Sequence, residues 1–347
     1  MDHFPGSLVN RALAPAPDNL PLREEHRLAT MLLGGRPEAV LPILSRGRNR
    51  LFRVCTPQAE FALKIYGPDD GSGSKRFASE IRALSFLATG PMAPHVPRVI
   101  TTDKSRSAAL LEWIDGDLPS IRRGGEVVQL QRVLQSLLMI SRGAEAAEFP
   151  MAPAFSLRPA ELAQKIEAKR ETVTRIEAES LGTKLLNQFD TLWPMARSAL
   201  LTPQDPARLI LSPGEFGFHK ALRRQDGVLV FLAFEEFGWE DPVRMVADLL
   251  WHPAMTLAPE EELWISNSAH TVFGACDGGF TRRLARLSPV YGLQWVLWML
   301  EATLPEHAPR RNTADPCVWE AKKQRYLTKA GTYLDKIRNK IQNISKL

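Results

Sequence analysis

Cysteine is scarce. Cys55, Cys276 and Cys317 are spread over 347 residues, with no C-x-x-C and no histidine partner at ligand spacing. That excludes a disulfide framework, gives no support to a zinc site and fits a reducing compartment, with the thiols buried or incidental. No stretch reaches about 18 consecutive apolar residues, so no transmembrane segment is expected. The opening Met1-Asp2-His3-Phe4-Pro5 lacks a basic-then-apolar run. No signal peptide is expected, and the cytoplasm is the expected compartment. Charge of one sign is not in large excess either: 44 Lys and Arg against 39 Asp and Glu leave +5, too little by itself to mark a nucleic-acid binder. The remaining composition is that of a globular chain long enough for a large core and two lobes.

Within that composition the punctuation is clear. Residues 1–20 are rich in Pro and Ala and read as an irregular arm. Leu22 to Leu33 reads as a helix stopped by Gly34-Gly35. Ala39 to Leu44, the turn-like Ser45 to Arg50, and Leu51 to Cys55 read as strand, loop, strand. Phe61 to Tyr66 is a third strand, whose period of two puts Phe61, Leu63 and Ile65 on one face and Ala62, Lys64 and Tyr66 on the other. After a Gly/Ser-rich loop, a helix capped by Ser74 carries the stripe Phe77, Ile81, Leu84 and Leu87, with Glu80 beside it. Strands are expected over Val96–Thr101 and Ala108–Ile114. Residues 115–211 read as mainly helical, with a stripe from Val127 to Leu138, a break at 150–159 and an amphipathic helix over Ala160–Leu181.

The most informative stretch is Ser212-Pro213-Gly214-Glu215-Phe216-Gly217-Phe218-His219-Lys220. A strand over Ala221–Arg224, a turn at Gln225-Asp226-Gly227 and a strand over Val228–Ala233 follow it. Asp-Gly between apolar runs is a hairpin signal, because Gly supplies the positive φ of a tight turn. Such a hairpin should bring positions 215, 220 and 233–235 to one spot. Beyond it, Gly238-Trp239-Glu240-Asp241-Pro242 leads into a helix through Leu250, with Asp241 as cap, Pro at the first position and Asp248 structural. Trp295 and Trp298 in the helix over Pro289–Leu300 are expected in the core. The last helix, from Trp319, is basic and amphipathic. It reads as packed on its own domain, with an anionic membrane surface as the alternative.

The stretch and its hairpin resemble those of the aminoglycoside phosphotransferases, relatives of choline kinase, where the loop reads roughly H/S-G/P-x-D-x-x-x-x-N and the strand I/L-D-F-E. The resemblance implies an α+β, two-lobed protein-kinase-like fold. Residues 1–36 would be an arm and helix, 37–114 a small antiparallel-sheet lobe with one helix, and 115–347 a mainly helical lobe carrying the hairpin. It implies ATP as the nucleotide, with Lys64 on the α/β-phosphates and Glu80 as its partner. Gly47, Arg48 and Asn49 would lie in the phosphate-covering loop, and the backbone of Glu112, Trp113 and Ile114 would face an adenine edge. Lys64 alone reads equally as a solvated lysine on a sheet face, and Glu80 alone as a flank carboxylate. It is their pairing in this order that carries the assignment.

The spacing of the resemblance is kept, five residues from 215 to 220 and thirteen from 220 to 233, but the chemistry is not. Asp, Asn and Asp are replaced by Glu215, Lys220 and Ala233. Two negative charges and an amide become one negative charge, one positive charge and a methyl group, which works against Mg²⁺. Glu215 moves a catalytic-base carboxylate by roughly 1.5 Å, a displacement that can cost about 10²-fold. Lys220 can salt-bridge Glu215 or Glu235, or touch a phosphate directly. Glu235 and Glu236 are possible stand-in metal ligands, with Glu235 alongside Glu215 the set an active enzyme would use. Two functions follow. One is a pseudokinase that holds a nucleotide or small molecule in its interlobe cleft and acts by binding a protein partner. The other is an active phosphotransferase on a sugar, amino alcohol or aminoglycoside, with Glu215 as base.

Overall fold

The computed structural model describes residues 23–43, 49–67, 71–120, 122, 124–153, 159–173, 181–202, 207–304 and 316–344. The chain divides into two compact units: residues 1–154 with Ile210–Glu240, and residues 155–209 with Asp241–Leu347. The fold is α+β, an antiparallel sheet of five strands followed by a mostly helical remainder.

In the first unit, helix α1 (Arg23–Leu33) stops at Gly34 and Gly35, whose N–H groups close the last turn. Strands β1 (Ala39–Ile43), β2 (Arg50–Cys55), β3 (Glu60–Ile65), β4 (Val99–Asp103) and β5 (Ala108–Glu112) pair antiparallel in the order β1-β2-β3-β5-β4. The period of two in β3 sorts as expected. Leu63, with Phe61 and Ile65, joins a core of Leu28, Ala29, Val40, Phe52, Val54, Ala108 and Leu110 that ties α1 to the sheet. Each such aliphatic or aromatic side chain contributes about 1.5–3 kcal/mol when fully buried, so this layer anchors the strand that carries Lys64. Strand β4 starts later than expected. Ala93–His95 forms a 3-10 turn, and Pro97 has no N–H for a ladder.

Helix α2 (Ser72–Leu87) also departs in detail. Its cap is Gly71, not Ser74, whose hydroxyl lies in the first turn and donates to the Gly71 carbonyl at 3.0 Å. Its buried face is Gly73, Phe77, Glu80, Ala83, Leu84 and Leu87, so Glu80 belongs to the inward stripe and Ile81 is only half-buried. Strand β6 (Gly116–Asp117) and helix α3 (Gly125–Ile140) follow; Val127, Leu130, Val133, Leu134 and Leu137 of α3 are buried.

Strand β7 (Ile210–Ser212) leads into the loop; strands β8 (Ala221–Arg224) and β9 (Leu229–Phe231) make the expected hairpin. Gly227 holds φ +85° in its turn, and Asp226 Oδ1 accepts from the Val228 N–H at 2.9 Å. Strand β6 adds to its edge. The second strand ends at Phe231 rather than Ala233, because Ala233 takes φ +68°, which no strand continues through. Strand β10 (Gly238–Glu240) returns to pair with β7, which closes the loop between them.

The second unit is helical among its described residues. It contains α4 (Pro159–Thr172), α5 (Leu181–Leu201), α6 (Pro242–Trp251), α7 (Pro259–Gly274), α8 (Phe280–Glu301) and α9 (Pro316–Ile344). The second half of the helix expected over 160–181 lies largely outside the described residues. Asp241 caps α6 through the Val243 N–H at 2.9 Å, with Pro242 at the first position, and the buried Arg283 guanidinium grips its carboxylate. Asp248 accepts from the Trp295 indole at 2.9 Å, a structural role. Trp298 is 40% exposed and corrects the core expectation: it stacks edge-on between Trp295 and Tyr326 on the outer side of α8. The basic helix α9 packs on α5 and α8 through Leu327, Ala330, Tyr333, Leu334, Ile337 and Ile341. Among the described residues no helix is long and apolar enough to cross a membrane. Cys55 and Cys276 are half-buried and Cys317 is exposed, so of the two expectations, buried or incidental, full burial holds for none of them.

Candidate functional site

The first unit brings β3, α2 and the segment after β9 together around one ammonium. Lys64 Nζ lies 2.5 Å from Glu80 Oε2 and 2.6 Å from Glu235 Oε1. Glu80 is 2% exposed and fully engaged: Oε2 also accepts from the Tyr66 hydroxyl at 2.6 Å, and Oε1 from the Phe234 N–H at 3.1 Å. Burial alone pulls the Lys64 ammonium down, but the Glu80 and Glu235 carboxylates outweigh it and hold its pKa above the ordinary lysine value. Burial, and then the Glu80 carboxylate, pushes the Tyr66 phenol far upward, so it remains a donor. The sequence placed Lys64 and Tyr66 on one face of β3. The structure adds that both converge on the carboxylate expected to pair with Lys64.

Glu235 sits in a ring of donors. Asn49 Nδ2 donates to Oε1 at 2.6 Å, and Arg76 Nε lies 3.5 Å from Oε2. Sequence reading missed Arg76. Its signal was there, since a residue four before Glu80 shares that helix face. Of the loop expected to cover phosphates, Asn49 is in the site, while Gly47 and Arg48 lie outside the described residues. Arg50, at the loop's end, is paired with Glu25 at 2.6 Å.

The half around Glu215 is built differently. Gly214 holds φ +82°, and a side chain there would meet Glu236 Cβ at 2.8 Å, so the loop lies against the segment after β9. The Leu232 N–H donates to the Lys220 carbonyl at 2.7 Å, so the hairpin joins the two ends as its spacing required. Lys220 Nζ pairs with Glu215 Oε2 at 3.4 Å, and His219 Nε2 lies 3.3 Å from Glu215 Oε1. His219 was not singled out beforehand; its place one turn from Glu215 comes from a 3-10 turn over Phe218–Lys220. Ala233 carries a methyl group, held in the left-handed region.

The expected adenine-facing segment is only partly free for a ligand. The Glu112 N–H donates to the Arg98 carbonyl at 2.9 Å, and its carboxylate receives Arg224 at 2.7 Å. Trp113 lies under the Arg53 guanidinium at 5.0 Å. Ile114 is 5% exposed and packs with Leu222 and Val230 as core.

No protein-family model matches the sequence, and no curated protein does. Solved structures match over most of the chain. A Ralstonia eutropha protein assigned provisionally to the aminoglycoside phosphotransferases superposes with a TM-score of 0.60 at 13% identity, covering 91% of this chain and 97% of its own. The chain has the fold of the aminoglycoside phosphotransferases and choline kinases. A spectinomycin phosphotransferase in complex with ADP and spectinomycin gives 0.56 at 9% identity, covering 92% and 99%. The choline kinase of Cryptosporidium parvum gives 0.55 at 16%, covering 89% and 90%. At such identities the kinase-like fold is shared, and the chemistry has to be read from this chain's own side chains.

Lys220, Ala233 and Glu235 do not make a ligand set for Mg²⁺. Mg²⁺ needs several hard oxygen ligands near octahedral geometry. Ala233 offers none, Lys220 offers an ammonium, and Glu235 Oε1 already accepts from Asn49 and Lys64.

Proposed function

We propose that this chain is a pseudokinase. It binds a nucleotide or related phosphate-bearing small molecule at the Lys64 side of a kinase-like site, transfers no phosphoryl group, and acts through a protein partner that reads the bound state. One observation carries the reading: the buried Lys64–Glu80 pair is intact at 2.5 Å, while the positions spaced to hold metal are an ion pair, Glu215–Lys220, and the methyl of Ala233. Phosphoryl transfer relies on metal ions to neutralise charge between the β- and γ-oxygens, whereas binding needs only the cationic side. The ADP held by the spectinomycin phosphotransferase of the same fold supports a nucleotide as the ligand class. A nucleotide ligand is consistent with a cytoplasmic setting.

The test is thermal unfolding with ATP or ADP, each with and without Mg²⁺. A ligand at about 100 times its Kd stabilises by about 2.7 kcal/mol. The reading expects a shift that does not need Mg²⁺. A shift that requires Mg²⁺, together with phosphate release, would overturn it. No shift with any nucleotide would remove the nucleotide and leave the protein partner.

One observation favours the second reading, an ATP-dependent phosphotransferase on a sugar, amino alcohol or aminoglycoside. Glu215 retains a carboxylate with His219 and Lys220 against it, a placement suited to a base. That reading requires turnover in the wild type that Glu215→Gln abolishes.

A further inference from the structure

Asn49, Lys64 and Arg76 come from a loop, a strand and a helix, and their nitrogens converge on the Glu235 carboxylate. The carboxylate fills this group incompletely. Arg76 Nε and Nη2 are closed to solvent without a hydrogen-bond acceptor, and only Nη1 finds one, the Ser72 hydroxyl at 3.2 Å. Two adjacent guanidinium N–H groups without an acceptor form the fork that grips a phosphate. A carboxylate brings two coplanar oxygens, whereas a terminal phosphate brings three in a tetrahedral array. The phosphate can therefore meet the Lys64 ammonium, the Asn49 amide and the Arg76 fork together. Glu235 keeps 19% of its side-chain surface exposed, so rotation toward solvent is open to it.

We propose that Glu235 is a resident stand-in for a phosphate group. Lys64, Arg76 and Asn49 then form a metal-independent anion seat from which a phosphate-bearing ligand displaces it. Charge supports the exchange. Two cations, Lys64 and Arg76, face two carboxylates, Glu80 and Glu235, so once Glu235 swings out the site holds one uncompensated positive charge that an entering phosphate meets without Mg²⁺. The inference rests on the reading that a phosphate-bearing ligand is bound, and it assigns to Arg76 a ligand contact and to Glu235 a competing one.

Calorimetric titration of the full chain in EDTA tests it, with tripolyphosphate and ADP as probes. Glu235→Gln should tighten binding of both by about tenfold or more, because the competing charge is gone. Glu235→Ala, which leaves no amide oxygen behind, should move the same way. Adding Arg76→Gln to Glu235→Gln should reverse most of the gain. Addition of Mg²⁺ should not strengthen binding. If wild type binds ADP and neither Glu235 variant binds more tightly, the seat is overturned and the nucleotide reading stands. If Glu235→Gln gains tripolyphosphate while no protein binds ADP, the seat stands and the nucleotide reading falls. If no variant binds either probe, the seat is overturned.

Discussion

Lys64 in the first unit and Lys329 in the second are both withdrawn from bulk water, and their surroundings answer the lost hydration in opposite ways. Lys64 meets two carboxylates within 2.6 Å and stays charged, its pKa above the ordinary value. Lys329 donates to two backbone carbonyls, Pro253 at 2.6 Å and Met255 at 2.9 Å. Burial there, and then the neighbouring Lys336, lower its pKa to about 8, with Glu262 opposing weakly. Carbonyl dipoles secure a helix, whereas full charges assemble a site. The contrast separates a lysine that α9 uses for docking within its own unit from one whose partners are arranged around a ligand-sized group of donors.

The largest expected effect breaks the charged side. Glu80→Ala takes one of the two carboxylates from a buried ammonium, leaving it Glu235 alone, and removes the acceptor for the Tyr66 hydroxyl and the Phe234 N–H. It should cost about 3–5 kcal/mol, read as a fall in the urea midpoint. Next, Lys220→Asn with Ala233→Asp supplies an amide and a carboxylate where the spacing calls for metal ligands. The double variant should acquire Mg²⁺-dependent stabilisation by ADP of about 2.7 kcal/mol at 100 times the Kd, absent from wild type in the same melting assay.

The dipole side responds to pH instead. Lys329 has a lowered pKa in the folded state, so between about 8 and 10.4 the unfolded chain binds a proton that the folded chain does not. Stability should therefore rise across that window by about 1–3 kcal/mol, and in Lys329→Met the rise should shrink, as followed by denaturation at pH 7.5 and 10. The smallest effect concerns Ala233. Its φ of +68° costs an L-residue about 1–2 kcal/mol, partly offset by the extra unfolded-state freedom of glycine. Ala233→Gly should raise stability by about 0.5–1 kcal/mol without changing ligand binding, measured by melting and titration together.

Sequence alone determined the parts of the site that obey a local period. The alternation of β3 put Lys64 and Tyr66 on one face, and a helix following it placed Glu80 within reach. The spacing and identity of Glu215, Lys220 and Ala233, and so the altered chemistry of that half, were legible along the chain, and the Asp-Gly turn between apolar runs foretold that the hairpin would join its ends. Side-chain period and turn geometry reach only a few residues, so they could not say where Glu235 would point. The destination of its carboxylate, on Lys64 and Asn49 across 171 and 186 residues of chain, was decided by tertiary packing. So were the recruitment of Arg76, the approach of His219 to Glu215, the pairing of β10 with β7 and the left-handed turn at Ala233. Each is a choice among several partners of like chemistry. In a buried place that choice falls to whichever donor and acceptor the packed backbone leaves within hydrogen-bond reach, because a charge stranded there would cost more than any local preference supplies.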